Sequence, residues 1–164
     1  MKFPSISRLL FAVCLLALSL TPPCFATDLT ITSTSVTPGA NAVIREAFAG
    51  AAITAGKVVY KSSTDGKLYL ADGDSATATV RDAVGIAIVT GAIGSKIAYV
   101  IEDDDLTIGA TVANGTVYVL SATAGGIAPV ADLTTGWYPT VIAVGKSSTK
   151  IAFKARPIRS ATAL

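Results

Sequence analysis

The chain contains no histidine, and its only two cysteines, Cys14 and Cys24, lie near its start. Without histidine, Ser-His-Asp and Cys-His nucleophile systems, His-ligated zinc and imidazole acid-base chemistry are excluded. Charge is scarce as well: 15% of the 164 residues are charged, 13 basic against 11 acidic, while 51% are hydrophobic. Low charge combined with abundant Ala, Thr, Val, Gly and Ile argues against disorder and against a charged helical bundle, and favours many short strands. The length allows one domain whose core needs no disulfide or metal staple.

Only one long apolar run occurs, LLFAVCLLALSL at 9–20, preceded by Lys2 and Arg8 and followed by TPPCFA. This is the pattern of a secretory signal peptide, since a membrane-spanning helix needs about 20 apolar residues and Pro22 with Pro23 ends any helix here. Small residues at Cys24 and Ala26 predict cleavage before Thr27, and Pro23 ahead of Cys24 argues against a lipoprotein. Without 1–26 the chain loses both cysteines, Lys2 and Arg8, leaving 11 basic and 11 acidic residues. A neutral body lacks the footprint of a nucleic-acid binder, and no membrane partner is expected for the mature domain. Lys146, Lys150, Lys154, Arg156 and Arg159 follow the last acid, Asp132. They read as edge-strand charges that discourage aggregation, with a basic tail for an acidic partner as the alternative.

Beyond the polar, extended stretch 27–40, short β-prone runs alternate with turn signals. KVVYKS, the Asp65-Gly66 turn and KLYLA make a hairpin, and GIAIVT, GAIGS and KIAYVI make a second, closed by the acidic run Glu102 to Asp105. The plan then repeats: residues 56–72 align with 115–132, and 84–100 with 141–154. The expected fold is all-β with at most one short helix, a small β-barrel or sandwich built from a duplicated hairpin pair, with an extended N-terminal arm. The expected organisation is a leader over 1–26, arm and short helix over 27–48 and the duplicated β-domain over 49–164. The helix is expected within Asn41 to Ala52, limited by Gly50. Pro129 and Pro139 mark edges or bends.

Chemical motifs are few. Gly145-Lys146-Ser147 fails as a phosphate loop, because Thr140 stands where its first glycine belongs. Asp72 with Asp74, and Glu102 to Asp105, offer oxygen ligands for calcium but lack the alternating acidic loop, and read as solvated turns. Asn114-Gly115-Thr116 reads as a turn before a glycosylation site, and Trp137-Tyr138 as core packing before a stacking platform. Paired carboxylates leave a glycosidase open, yet nothing supplies an activated nucleophile with its base. No enzyme activity, catalytic residue, cofactor or metal ligand is expected.

The stretches at 28–32 (DLTIT), 49–78, 106–112 and 118–145, the last with its ATAGGIAP segment, resemble a family of tailed-phage and prophage capsid decoration proteins, also termed cement or head-fibre proteins. The resemblance covers nearly all of 28–153. It implies a non-enzymatic β-rich virion protein, frequently a homotrimer, docked on the major capsid protein lattice and located at the capsid surface. Asp28, Leu29, Thr30, Ile31 and Thr32 are the expected partner-binding residues, on the premise that the arm adds little to a core and keeps its backbone groups for a capsid subunit. A processed leader would instead favour a secreted or periplasmic binding or adhesion module.

Overall fold

The computed structural model describes residues 27–164, with 155–159 as backbone only. The expected leader lies outside the described residues. The described chain is nearly all-β: one strongly curled antiparallel sheet forming half a barrel. Helical content among the described residues is limited to single 3₁₀ turns at Ser33–Ser35 and Val130–Asp132.

Strands β2 (Val58–Lys61) and β3 (Leu68–Leu70) form the hairpin signalled by Asp65-Gly66. Gly66 supplies the positive φ of +69° that the turn requires. Tyr60 and Tyr69 lie directly opposite each other with ring centroids 5.8 Å apart, a cross-strand pair that helps fix the register. Next come β4 (Ala83–Ala87) and the 12-residue β5 (Lys96–Thr107). The second copy contains β6 (Val117–Leu120), β7 (Ile127–Pro129), β8 (Thr140–Gly145) and β9 (Lys150–Arg159).

The duplication is written into the register. Val59 pairs with Leu70 in the first copy and Tyr118 with Pro129 in the second. Each copy then bulges at a matching step, at Val59/Tyr60 against β4 and at Tyr118/Val119 against β8. A bulge adds twist, so its repetition curls both ends of the sheet in the same sense. The strand order β3-β2-β4-β5-β9-β8-β6-β7 places β3 and β7 at the two ends. Pro129 therefore sits on an end strand, as its missing N–H requires.

Three sequence expectations are corrected. The segment read as helical holds β1 (Val43–Phe48), paired antiparallel with β5 from Ile44↔Val100 to Phe48↔Lys96. Alanines at 42, 47, 49, 51 and 52 favour a helix, but a two-turn helix has little stability of its own. The Val-Ile and Phe of this segment instead gain a full ladder along an available strand. Likewise, Glu102 to Asp105 is no solvated turn but part of β5. Asp103 points inward, 1% exposed, and accepts from the Gly39 N–H at 2.7 Å and the Asp105 N–H at 2.9 Å. Lys150 and Lys154 lie on β9, between β5 and β8 rather than at an edge. They face acids there: Lys154 reaches Glu102 at 2.7 Å, Lys150 pairs with Asp105, and Lys146 from the preceding turn lies 3.7 Å from Asp105.

The strand pleat sorts side chains between two cores. Val58 faces a central core that both copies fill, with Ile86, Leu106, Leu120, Ile127 and Phe153. Val59 faces the opposite side and joins Ile53, Leu68, Ile97 and Tyr99 in a smaller cluster on the first copy.

Candidate interaction surface

Residues 27–53 form a strap that runs across the sheet. The Leu29 N–H donates to Ile127 O at 2.8 Å, on the end strand β7, and Thr32 N–H to Gly109 O at 2.8 Å. Thr37 and Thr107 exchange hydrogen bonds of 2.9 and 3.0 Å. After β1, the Gly50 N–H donates to Leu68 O at 2.8 Å, on the opposite end strand β3, and Ile53 exchanges two bonds with Gly91. Leu68 and Ile127 hold the same position in the two copies. The strap thus covers both ends of the half-barrel, which would otherwise offer unpaired backbone.

This placement revises the premise for the arm. Leu29 and Ile31 pack against the central core, and Leu29 and Thr32 use their N–H groups within the chain. Asp28 accepts from Ser121 Oγ at 2.6 Å. A Cβ on Gly126 would stand 2.6 Å from Asp28 Oδ2 and 2.8 Å from the Thr123 carbonyl oxygen, so the backbone packing here requires glycine. Thr30 and Thr32 remain exposed. Leu29 and Ile31 are the only large apolar side chains near the start of the arm, and they are sufficient to seat it because the β7 edge is open to receive it.

Two carboxyls at matching places in the copies are perturbed. Burial pushes the Asp72 carboxyl up to about 6, helped by a hydrogen bond to Asp74 and its charge. Burial also raises Asp132, with Asp28 adding repulsion, and neither Asp132 carboxyl oxygen has a hydrogen-bond partner among the described residues. No group of three or more His, Cys, Asp or Glu suited to a metal occurs among the described residues.

With β3 and β7 covered, the outer edge of β1 stands out. Val100 pairs with both Ile44 and Ile86, and Glu102 with both Val43 and Lys154. A strand residue has one neighbour per edge, so β4 and β9 share one edge of β5 while β1 runs along the other. Ala49 donates to Ser95 O. By alternation, Ala47 and Arg45 then face β5, and the backbone groups of Ile44, Glu46 and Phe48 face outward. Val43 and Ile44 are exposed, and Phe48 is 58% exposed. The β4–β5 turn, at the Phe48 end, adds Val89 and Ile93, the latter 71% exposed. Such a concentration of large apolar groups beside an edge with no strand partner among the described residues marks a candidate interaction surface. Sequence reading missed it because a helix was expected there, although the VIxxxF pattern carried the signal.

Trp137 and Tyr138 are half-buried, and Tyr138 lies beneath Arg81, a residue with no recognisable motif around it. No described helix is long and apolar enough to cross a membrane. The chain matches no protein-family model, and no curated protein is similar enough in sequence to count as a relative.

Proposed function

We propose that this chain is a non-enzymatic virion structural protein that decorates a phage capsid as a homotrimer and attaches through the outer edge of β1. The observation that supports this reading most is that β1 keeps an apolar edge with no partner among the described residues, in a sheet whose two ends are both covered. Edge strands of this kind take up an extended segment from another chain, with main-chain bonds supplying affinity and alternate side chains supplying specificity. The resemblance to decoration proteins supplies the partner, an extended segment of the major capsid protein. Asp28, Leu29 and Ile31 then act indirectly, seating the strap from which β1 continues, while Thr30 and Thr32 lie exposed beside Thr107 and Gly109.

The test is co-sedimentation with cognate capsids that lack the protein. Ile44→Lys with Phe48→Lys should abolish binding and leave the fold intact, because both side chains point into solvent. Wild-type failure to sediment would refute decoration. Wild-type-like binding by the double variant would refute the β1 surface. Size exclusion with light scattering checks the trimer, which a monomer at micromolar concentration would exclude for the isolated protein. The leader-like pattern at 1–26 supports the rival reading, a secreted or periplasmic binding module. Mature protein starting at Thr27 in the periplasm or medium, measured by intact mass, would favour that rival.

A further inference from the structure

We propose that the cavity beside Arg81 is a receptor for a single carboxylate group. Arg81 is 7% exposed, and its guanidinium carbon lies 3.5 Å from the centroid of the Tyr138 ring. Nη1 donates to Ser75 O at 2.5 Å. A guanidinium stays charged at any physiological pH and carries five N–H donors in a fixed plane. Among the described residues, Arg81 has that one carbonyl as its acceptor and no carboxylate as its ion-pair partner. A buried cation so sparsely matched is costly unless an anion or water completes it.

The space for that anion is present. A cavity of about 290 Å³ is bounded by Arg81, Ala78, Ser160 and Ala161. Its walls are held in place: the Tyr138 N–H donates to Gly73 O at 2.9 Å and the Ser160 N–H to Pro139 O at 2.8 Å. Ser160 Oγ donates to Thr162 O at 2.8 Å, so it serves as wall rather than ligand group. Among the described residues, Arg81 is the one charged group in the lining. That one charge matches a monoanion, whereas a phosphate dianion would bring a second charge that no described side chain of the cavity balances. Stacking on Tyr138 fixes the guanidinium plane, and a planar fork of N–H groups fits the two oxygens of a carboxylate. The carboxylate can come from an acidic side chain of a partner protein or from a free small acid. The inference rests on this cavity alone and does not depend on capsid decoration.

The full chain, labelled with ¹⁵N-arginine, is titrated at pH 7 with sodium acetate against sodium chloride at equal ionic strength, following the Arg81 Nε–H resonance. Acetate should give a saturable shift with a dissociation constant on the order of millimolar, as suits four heavy atoms on one arginine. Arg81→Lys, uniformly ¹⁵N-labelled and followed together with wild type through the backbone N–H of Ala161, should weaken binding about tenfold or more, since an ammonium lacks the planar fork. Ala161→Leu, which fills the cavity from the tail side and leaves Arg81 in place, should remove the shift. N-acetyl-glutamate amide, titrated in parallel, separates the sources. Tighter binding than acetate supports the receptor with a protein side chain as donor, and weaker binding supports it with a free acid. An acetate response no larger than that of chloride overturns the proposal, as does a response that survives Ala161→Leu.

Discussion

The two copies of the hairpin unit share register and bulge, yet they are finished differently. The first has a second hydrophobic layer, where Ala49 and Ile53 of the strap lie against Val59, Leu68, Ile97 and Tyr99. In the second, the strap is anchored by Leu29 at β7 and by the Asp28–Ser121 hydrogen bond. A duplicated β-unit leaves two equivalent open ends, and here one stretch of chain closes both with different chemistry: apolar burial at one end, a polar latch at the other.

The most severe way to break this comparison is to truncate the paired core positions. Leu68→Ala and Ile127→Ala each remove a fully buried side chain and should each cost about 3 kcal/mol. Ile127→Ala should cost more, because its cavity opens into the core that both copies fill. Urea unfolding measures both, and a larger loss for Leu68→Ala would reverse the ranking.

Cutting the polar latch should act on one end only. Asp28→Ala removes the Ser121 bond at a cost of about 1–2 kcal/mol. Hydrogen exchange should then speed up at Leu29 N–H while Gly50 N–H stays protected. Equal acceleration at both would mean that the strap opens as a unit.

Acidity sharpens the comparison further. Asp72 and Asp132 both bind protons more tightly in the folded protein than in the unfolded chain. Both contributions therefore grow as pH falls, that of Asp72 from 7 through about 6, and level off once the unfolded carboxyls protonate near the ordinary value of 3.8. Asp65 and Asp105 are held low and act oppositely, but only as pH falls below about 4. Asp72→Asn should stabilise the protein at pH 7 by about 1 kcal/mol after allowance for solvent screening, and should flatten the pH dependence of Tm between 7 and 5. Asp132→Asn should also stabilise the protein at neutral pH, and less so when Asp28 is also removed.

The smallest effect concerns the seam between the copies. Lys154→Ala removes an exposed pair with Glu102 and should shift the urea midpoint only slightly, with the difference vanishing at high salt.

Local signals carried much of this architecture. Asp65-Gly66, the alternating Leu68 and Leu70, and the repeat of 56–72 at 115–132 placed the hairpins and predicted the duplication. What depended on distant partners was illegible. Nothing local to Asn41–Ala52 reveals that β5 has an edge to spare, so alanine content pointed to a helix. Likewise, the acids at 102–105 looked like a loop because their cations, Lys146, Lys150 and Lys154, arrive more than 40 residues later. The β1 surface and the Arg81 cavity share this origin: each is assembled by the curl of the sheet rather than by neighbours in sequence.

The strap also sets an order of events during synthesis. Asp28 and its partner Ser121 are 93 positions apart, so the part translated early must wait for a part translated late. Until Ile127 leaves the ribosome, the β7 edge does not exist, and Leu29 and Ile31 have no seat. Closing so long a loop is slow compared with forming either hairpin. The first hairpin can fold while the second is still being made, but the finished domain locks only when the growing chain returns to its own beginning.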